Sequence, residues 1–172
     1  MKRKGWPVSA HRPLFPVRRS GAGPWTEWDT AGSVHRPPLF PYGGRSDTPF
    51  HEALVLSGGT GTRLRPFTYS MPKQLIPIAG KPVLRHVLEN IRECGVTDIG
   101  IVVDARDRHI AAAFGDGADL GVRLGYLRQE QPLGLAHCVA LAREFLGAED
   151  FVLYLGDTVL PEGIGTLAAE FA

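Results

Sequence analysis

The residues with the clearest chemical potential lie in one stretch, Ala53–Pro77, which reads ALVLSGGTGTRLRPFTYSMPKQLIP. Its apolar run, Ala53–Leu56, is typical of a strand that is buried on both faces. A glycine-rich loop, Ser57–Thr62, follows, and two cations, Arg63 and Lys73, come after it. Glycines let the backbone turn sharply and bring its N–H groups close to an anion. Such a loop with two cations predicts a binding site for a triphosphate.

This loop differs from the two best-known phosphate-binding glycine loops. A Walker A loop needs a Lys and then Ser or Thr after its last glycine, but Thr62 and Arg63 follow Gly61. A dinucleotide-binding loop needs Gly-x-Gly-x-x-Gly. Gly59 and Gly61 fit its first two positions, whereas Leu64 occupies the third. The loop is therefore of another kind.

Two motifs in the stretch resemble the signature of the sugar-1-phosphate nucleotidyltransferases. They are Gly58-Gly59-x-Gly61-Thr62-Arg63-Leu64-x-Pro66 and Pro72-Lys73-Gln74-Leu75. The stretch is most similar to the glucose-1-phosphate thymidylyltransferases, in the long form found with actinobacterial deoxysugar pathways. The resemblance begins at about Glu52 and continues along the rest of the chain. It implies that residues 51–172 form the N-terminal part of the family's catalytic domain.

A second segment, Gln129–Cys138, resembles the family pattern Gln-x-x-Pro-x-Gly-Leu-Ala. In the family this Gln and this Gly, here Gln129 and Gly134, read the base. A glutamine side chain offers both an acceptor and a donor, which matches the O and N–H edge of thymine or uracil. Gln131 is a rival for this role, and a plain exposed loop is the structural alternative. His137 stands where many relatives carry Gln, and no role is assigned to it.

A third segment, Tyr154–Thr158, resembles the family's Leu-Gly-Asp-Asn at the end of a metal-binding strand, with Thr158 in place of Asn. Asp157 would then hold Mg²⁺, a hard cation that takes oxygen ligands and keeps several waters. The alternative is an aspartate that caps the turn after the strand.

The resemblance implies transfer of a thymidylyl group from dTTP to glucose-1-phosphate, giving dTDP-glucose and pyrophosphate. Arg63 would stabilise the leaving pyrophosphate, and Lys73 would hold the α-phosphate and the sugar phosphate, because positioning and charge neutralisation dominate such reactions. The family also implies nucleotide contacts from Leu56, Gly58, Gly59, Gly61, Thr62, Arg63, Gln129 and Gly134. The alternatives are an enzyme specific for UTP or for another sugar phosphate, and a non-catalytic nucleotide-binding fragment.

Strands and helices alternate along the chain, which predicts an α/β fold with an open, mostly parallel, Rossmann-like sheet and helices on both faces. The glycine loop and Asp157 each follow a strand, so both are expected at the edge where such sheets bind ligands. The predicted strands are Glu52–Ser57, Ile99–Val103, Val122–Leu127 and Phe151–Leu155. The predicted helices are Pro82–Glu93, Asp107–Phe114, Leu135–Leu146 and one that begins near Gly163.

Length and composition agree with one globular domain: 172 residues, 44% apolar and 22% charged, with a net charge of +1. No apolar run approaches the roughly 18 residues of a membrane span, and no secretory signal is recognisable. These features favour a cytoplasmic protein with no membrane partner. Residues 51–172 carry eleven Lys and Arg against fifteen Asp and Glu, which argues against nucleic-acid binding. Cys94 and Cys138 are expected to be reduced residues of the core.

Residues 1–50 differ in composition from the rest of the chain. They contain eight of the fourteen prolines and all three tryptophans, with eight Lys and Arg against three Asp and Glu. Repeated prolines block regular structure, so we expect a disordered extension. An upstream start codon in the gene model, or an interaction arm rich in Trp and Arg, would each explain such a segment. A family-like homo-oligomer is a further expectation from the resemblance.

Overall fold

Four parallel strands form the main sheet of the protein. The computed structural model describes residues 50–58 and 71–171, so residues 1–49, which make up nearly all of the predicted extension, and most of the glycine loop lie outside the described residues. In chain order the elements are β1 (Glu52–Leu56), a 3₁₀ turn (Lys73–Leu75), β2 (Pro77–Ile78), β3 (Lys81–Pro82), α1 (Val83–Glu93), β4 (Asp98–Asp104), α2 (His109–Phe114), a second 3₁₀ turn (Ala118–Leu120), β5 (Arg123–Gln129), α3 (Leu135–Leu141), α4 (Arg143–Leu146), β6 (Phe151–Leu155) and α5 (Gly165–Phe171).

The strand order in the sheet is β5-β4-β1-β6, and every pairing is parallel. Leu56, the last residue of β1, lies opposite Val102 of β4 on one side and Leu155 of β6 on the other. The chain thus builds outward from β1 through β4 to β5 and then returns to the opposite side of β1. The predicted open, parallel α/β sheet is confirmed, and the strand order reverses between β1 and β6.

Helices cover both faces of the sheet, as predicted. Successive side chains of a strand point to opposite faces, so Ala53 and Val55 pack on one layer, whereas Leu54 and Leu56 pack on the other. The first layer is formed mainly by α1, with α2 contributing Ile110, and the second by α3 and α4. The buried helix residues are Leu84, Val87, Leu88 and Ile91 on the first face, and Cys138, Ala142, Phe145 and Leu146 on the second.

Two local features differ from the sequence prediction. The helix expected over Leu135–Leu146 is divided at Ala142, which is fully buried and leaves helical geometry with φ −84° and ψ 2°. The apolar stripe continues across this break, so the periodicity alone could not reveal it. A small antiparallel hairpin, β2–β3, was also not predicted. Its two turn residues, Ala79 and Gly80, both have positive φ, of 50° and 81°, as in the two-residue turns that favour hairpins.

The outer face of β6 meets the amino-terminal end of the described residues. Phe50, at the boundary of the predicted extension, is buried, and its ring centroid lies 5.0 Å from that of Phe171 on α5. No helix of the described ranges is long and apolar enough to cross a membrane.

The glycines that flank the second 3₁₀ turn provide a paired test of this packing. Gly117 and Gly121 both adopt left-handed backbone geometry, with φ of 86° and 68°. A Cβ on Gly117 would lie 2.8 Å from the backbone oxygen of Val122, whereas one on Gly121 would meet only Arg92, at 4.0 Å.

We expect Gly121→Ala to lower the free energy of unfolding by about 1–2 kcal/mol through backbone strain. Gly117→Ala should cost about 1–3 kcal/mol more because of the added overlap. Urea denaturation measures both changes, and equal losses would contradict the close approach of Gly117 to Val122.

Candidate functional site

The candidate site lies at the carboxyl ends of β1 and β6. The backbone N–H of Gly156 donates to the oxygen of Leu56 at 2.9 Å, so the two chain segments stay together beyond the last paired residues. A Cβ at Gly156 would lie 3.1 Å from that oxygen, and a glycine therefore permits this close approach. Ser57, which opens the glycine loop, lies beside Gly156, because a Cβ on that glycine would be 3.4 Å from Ser57 Cα, and Asp157 is the next residue. Leu56 itself is a buried residue whose side chain packs under α3 and α4.

Lys73 reaches the site from the first 3₁₀ turn. Its ammonium group donates a hydrogen bond to the Asp157 carboxylate, and the two side chains are 22% and 39% exposed. The next residue, Gln74, is fully buried, and its Nε2 donates to the backbone oxygen of Ser57 at 2.7 Å. Sequence reasoning assigned no role to Gln74, although its place in the Pro-Lys-Gln-Leu motif was the available signal. This buried amide fixes the turn that carries Lys73 against the start of the glycine loop.

Ser57 contributes a buried hydroxyl to the same corner. Its Oγ has no hydrogen-bond partner within the described part of the chain, and the residue is only 4% exposed. An unpaired buried hydroxyl costs about 1–3 kcal/mol, so native proteins rarely leave one without a reason. The group lies where the sequence predicts a bound nucleotide, which could supply the missing partner.

Gln129, at the end of β5, is brought to the glycine loop although β4 lies between β5 and β1. A Cβ on Gly58 would lie 3.3 Å from Gln129 Oε1. Gln129 Nε2 donates to Cys138 Sγ at 3.2 Å and lies 3.1 Å from His137 Nδ1. The residue is buried, with 8% exposure. Sequence reasoning placed Gln129 here but gave no role to His137, which proves to be its direct neighbour.

Gly134 immediately precedes α3 and has a φ of 95°, a geometry that favours glycine. Its backbone oxygen accepts a hydrogen bond from the Cys138 thiol at 3.5 Å, so Cys138 contacts both predicted base-reading residues. Gln131, the rival of Gln129, is exposed and is not part of this hydrogen-bond chain.

Both cysteines are free, as expected. Burial raises the pKa of the Cys138 thiol, although its hydrogen bond with Gln129 opposes this effect. Burial also raises the pKa of Cys94, and the charge of Glu93 adds to the increase. Cys138 therefore remains a protonated thiol at neutral pH and can donate its hydrogen to the Gly134 oxygen.

Asp157 is the described residue best placed to hold a cation. No group of three or more His, Cys, Asp and Glu that could hold a metal ion occurs in residues 50–58 and 71–171. Mg²⁺ commonly binds through one or two carboxylates, substrate phosphates and waters rather than in an all-protein cage. A single half-exposed carboxylate near the start of a glycine-rich loop fits a Mg²⁺ ion that arrives with a nucleotide.

Four predicted site residues lie outside the described residues: Gly59, Gly61, Thr62 and Arg63. Their assigned roles remain predictions. The structure describes the other six and brings Leu56, Gly58, Lys73, Gln129 and Asp157 to one edge of the sheet, with Gly134 linked to it through Cys138.

Comparison with known proteins shows the family to which the chain is similar. Residues 52–170 match the family model described as nucleotidyl transferase. A glucose-1-phosphate thymidylyltransferase of Streptomyces griseus is 52% identical over 120 residues, which are 70% of this chain and 34% of that protein. The low-salt glycan biosynthesis nucleotidyltransferase Agl11 of Haloferax volcanii is 48% identical over 121 residues, again 70% of this chain and 34% of the relative.

Solved structures show the same fold. A Bacillus anthracis protein assigned as a glucose-1-phosphate thymidylyltransferase superposes with a TM-score of 0.66 and 31% identity, covering 70% of this chain and 49% of that one. A UDP-glucose pyrophosphorylase superposes with a TM-score of 0.60 at 23% identity, which supports the fold alone. The chain spans about a third of the length of the curated relatives it matches. The family match covers well over half of the chain, and the protein therefore belongs to the nucleotidyl transferase family.

Proposed function

We propose that this chain is the nucleotide-binding part of a sugar-1-phosphate nucleotidyltransferase that transfers a thymidylyl group from dTTP to glucose-1-phosphate. The observation that carries the proposal is the meeting of Lys73 and Asp157 beside Ser57 and Gly58 at the carboxyl end of β1. A cation, a carboxylate and the start of a glycine loop are the groups that a metal–triphosphate complex needs at one place.

The topology supports this location. In open α/β sheets, ligands bind outside the carboxyl ends of the strands where the strand order reverses. Here the order reverses between β1 and β6, and Lys73, Asp157 and the first residues of the glycine loop stand at that point. The names of the thymidylyltransferases among the relatives support the same chemistry.

In the proposed reaction, an oxygen of the sugar phosphate attacks the α-phosphorus of dTTP. The bond between that phosphorus and the oxygen bridging to the β-phosphorus breaks, and pyrophosphate leaves with the electron pair. Lys73 holds the α-phosphate and the attacking phosphate, which otherwise repel each other, and Arg63 neutralises charge on the leaving pyrophosphate. Positioning and charge stabilisation of this kind are the main contributions of proteins to such transfers.

Asp157 would hold the Mg²⁺ ion in this proposal, with nucleotide phosphates and waters as the remaining ligands. The ion supplies charge neutralisation on the phosphates when it is bound. Lys73 and Asp157 form an ion pair. In this proposal Asp157 would contact the metal and Lys73 would contact the phosphates.

Nucleotide binding by Lys73 can be tested against a lysine of the same neighbourhood. Lys81 pairs with Glu89 at 2.9 Å and is half exposed, so Lys81→Ala is the matched control. With Mg²⁺ present, dTTP and UTP should raise the melting temperature of the chain, whereas GTP should not. Lys73→Ala should weaken dTTP binding about 10- to 100-fold, as expected for loss of a charge-assisted hydrogen bond, and Lys81→Ala should leave it within about threefold. Equal losses in the two variants would contradict the assignment.

Turnover provides a stricter test of the two cations. Pyrophosphate release from dTTP and glucose-1-phosphate should fall by two or more orders of magnitude in Arg63→Ala and in Lys73→Ala, which corresponds to roughly 3 kcal/mol for one stabilising group. Turnover that survives both substitutions would refute their catalytic roles.

The role of Asp157 predicts a metal dependence. Asp157→Asn should reduce dTTP affinity in Mg²⁺ by about tenfold or more, and the affinity in EDTA should not fall. Asp150 precedes the same strand at its opposite end and is exposed, so Asp150→Asn should retain the wild-type ratio of the two affinities. The affinities are measured by calorimetry. If Asp157→Asn keeps the wild-type ratio of dTTP affinity in Mg²⁺ to that in EDTA, Asp157 is not the metal ligand.

A further inference from the structure

The carboxamide of Gln129 is held by two neighbours on α3. Its nitrogen carries two hydrogens. It donates to Cys138 Sγ at 3.2 Å and lies 3.1 Å from His137 Nδ1, which accepts in the tautomer that carries its proton on Nε2. Its oxygen points the other way, since a Cβ on Gly58 would lie 3.3 Å from it. Both donors of the side chain are thus engaged within the protein, and only the oxygen faces the glycine loop.

The thiol of Cys138 extends this arrangement to a second element. It accepts from Gln129 and donates its own hydrogen to the Gly134 oxygen at 3.5 Å. The direction of each bond follows from the next, because the Gly134 oxygen can only accept. A reversed Gln129 amide would place its oxygen against the Cys138 sulfur, whose hydrogen points to Gly134, and against His137 Nδ1, which donates only in the tautomer that carries its proton on Nδ1.

We propose that His137 and Cys138 are positioning residues that lock the Gln129 carboxamide with its oxygen toward the nucleotide, so that the site selects a base with an N–H donor at that edge. This inference rests on the proposed function, because it concerns the base of the bound nucleotide. Thymine and uracil carry a hydrogen on N3, which the Gln129 oxygen accepts. Cytosine has an unprotonated N3, which presents a lone pair to the same oxygen. The Gln129 orientation that His137 and Cys138 fix therefore favours binding of thymine and uracil over binding of cytosine.

The contacts of Gln129 with His137 and Cys138, here called the lock, explain why a glutamine alone does not determine which base is bound. A free carboxamide can rotate by half a turn and offer its N–H group to cytosine N3 as readily as it offers its oxygen to thymine N3. His137 and Cys138 make that rotation unfavourable, since it breaks two hydrogen bonds of a buried side chain. Selectivity then depends on residues that need not contact the base.

The test compares dTTP and dCTP binding to the full chain by calorimetry in Mg²⁺. The wild type should bind dTTP at least about tenfold more tightly than dCTP, as expected for one buried hydrogen bond to the base. His137→Leu removes the acceptor at Nδ1 and should bring the two affinities to within about threefold, mainly through tighter dCTP binding. His137→Gln restores a side-chain acceptor and should recover most of the preference, which a purely structural role of His137 would not predict.

The matched control is His109→Leu. His109 is exposed on α2, and its ring nitrogen pairs with Asp107 at 3.2 Å rather than with Gln129, so this variant should keep the wild-type preference. Cys138→Ala, which removes the sulfur acceptor without adding bulk at this buried position, provides an independent variant if His137→Leu lacks a cooperative unfolding transition. It should also lower the ratio of dTTP to dCTP affinity.

Two results separate the inference from the proposed function. Wild-type protein that binds dTTP and dCTP equally, or folded His137 and Cys138 variants that keep the full preference, would overturn the lock while leaving nucleotide binding intact. Wild-type protein that binds neither nucleotide would overturn the proposed function together with the lock.

Discussion

The carboxyl end of β1 is fixed by hydrogen bonds from three separate elements, and the candidate site depends on this fixation. Ser57 N–H donates to Val102 on β4, Gly156 N–H donates to Leu56, and the Gln74 amide donates to the Ser57 oxygen. The bonds converge on two consecutive residues. The direction in which the glycine loop leaves the sheet is therefore set by the sheet and by a buried glutamine. The same contact also fixes the position of Lys73, because Gln74 is the next residue in the chain.

The sequence was sufficient to predict the elements that carry the site but not the side-chain contacts that orient it. β6 was predicted with its observed bounds because a buried parallel strand reads as a short apolar run between polar segments. The glycine loop and Asp157 were expected at one edge because carboxyl ends of parallel strands share an edge. The pairing of Asp157 with Lys73, and the contact of His137 with Gln129, depend on distances across the sheet that periodicity does not encode. The hairpin around Ala79 was missed because alanine at positive φ carries no sequence signal.

The site joins residues that are far apart in the chain. Lys73 and Asp157 are separated by 84 positions, and β6, the last strand of the sheet, must pair with β1 before they can meet. Contacts of such long sequence separation form only after much of the chain entropy has been lost. The meeting of Lys73 with Asp157 is thus a property of the assembled sheet, and a partly folded chain that lacks β6 contains the glycine loop but not this carboxylate.

The position of β6 also has a consequence for the behaviour of the protein at high concentration. Within the described residues β6 pairs with β1 alone, so its other side offers backbone donors and acceptors at the margin of the sheet. The strand, FVLYL, has no charge and no proline, and Leu153 and Leu155 are 49% and 42% exposed. Strand margins of this composition are templates for pairing between molecules. Of the two edge strands described, β6 therefore has the composition that favours pairing with a further strand at high concentration, and Leu153→Lys should weaken that pairing.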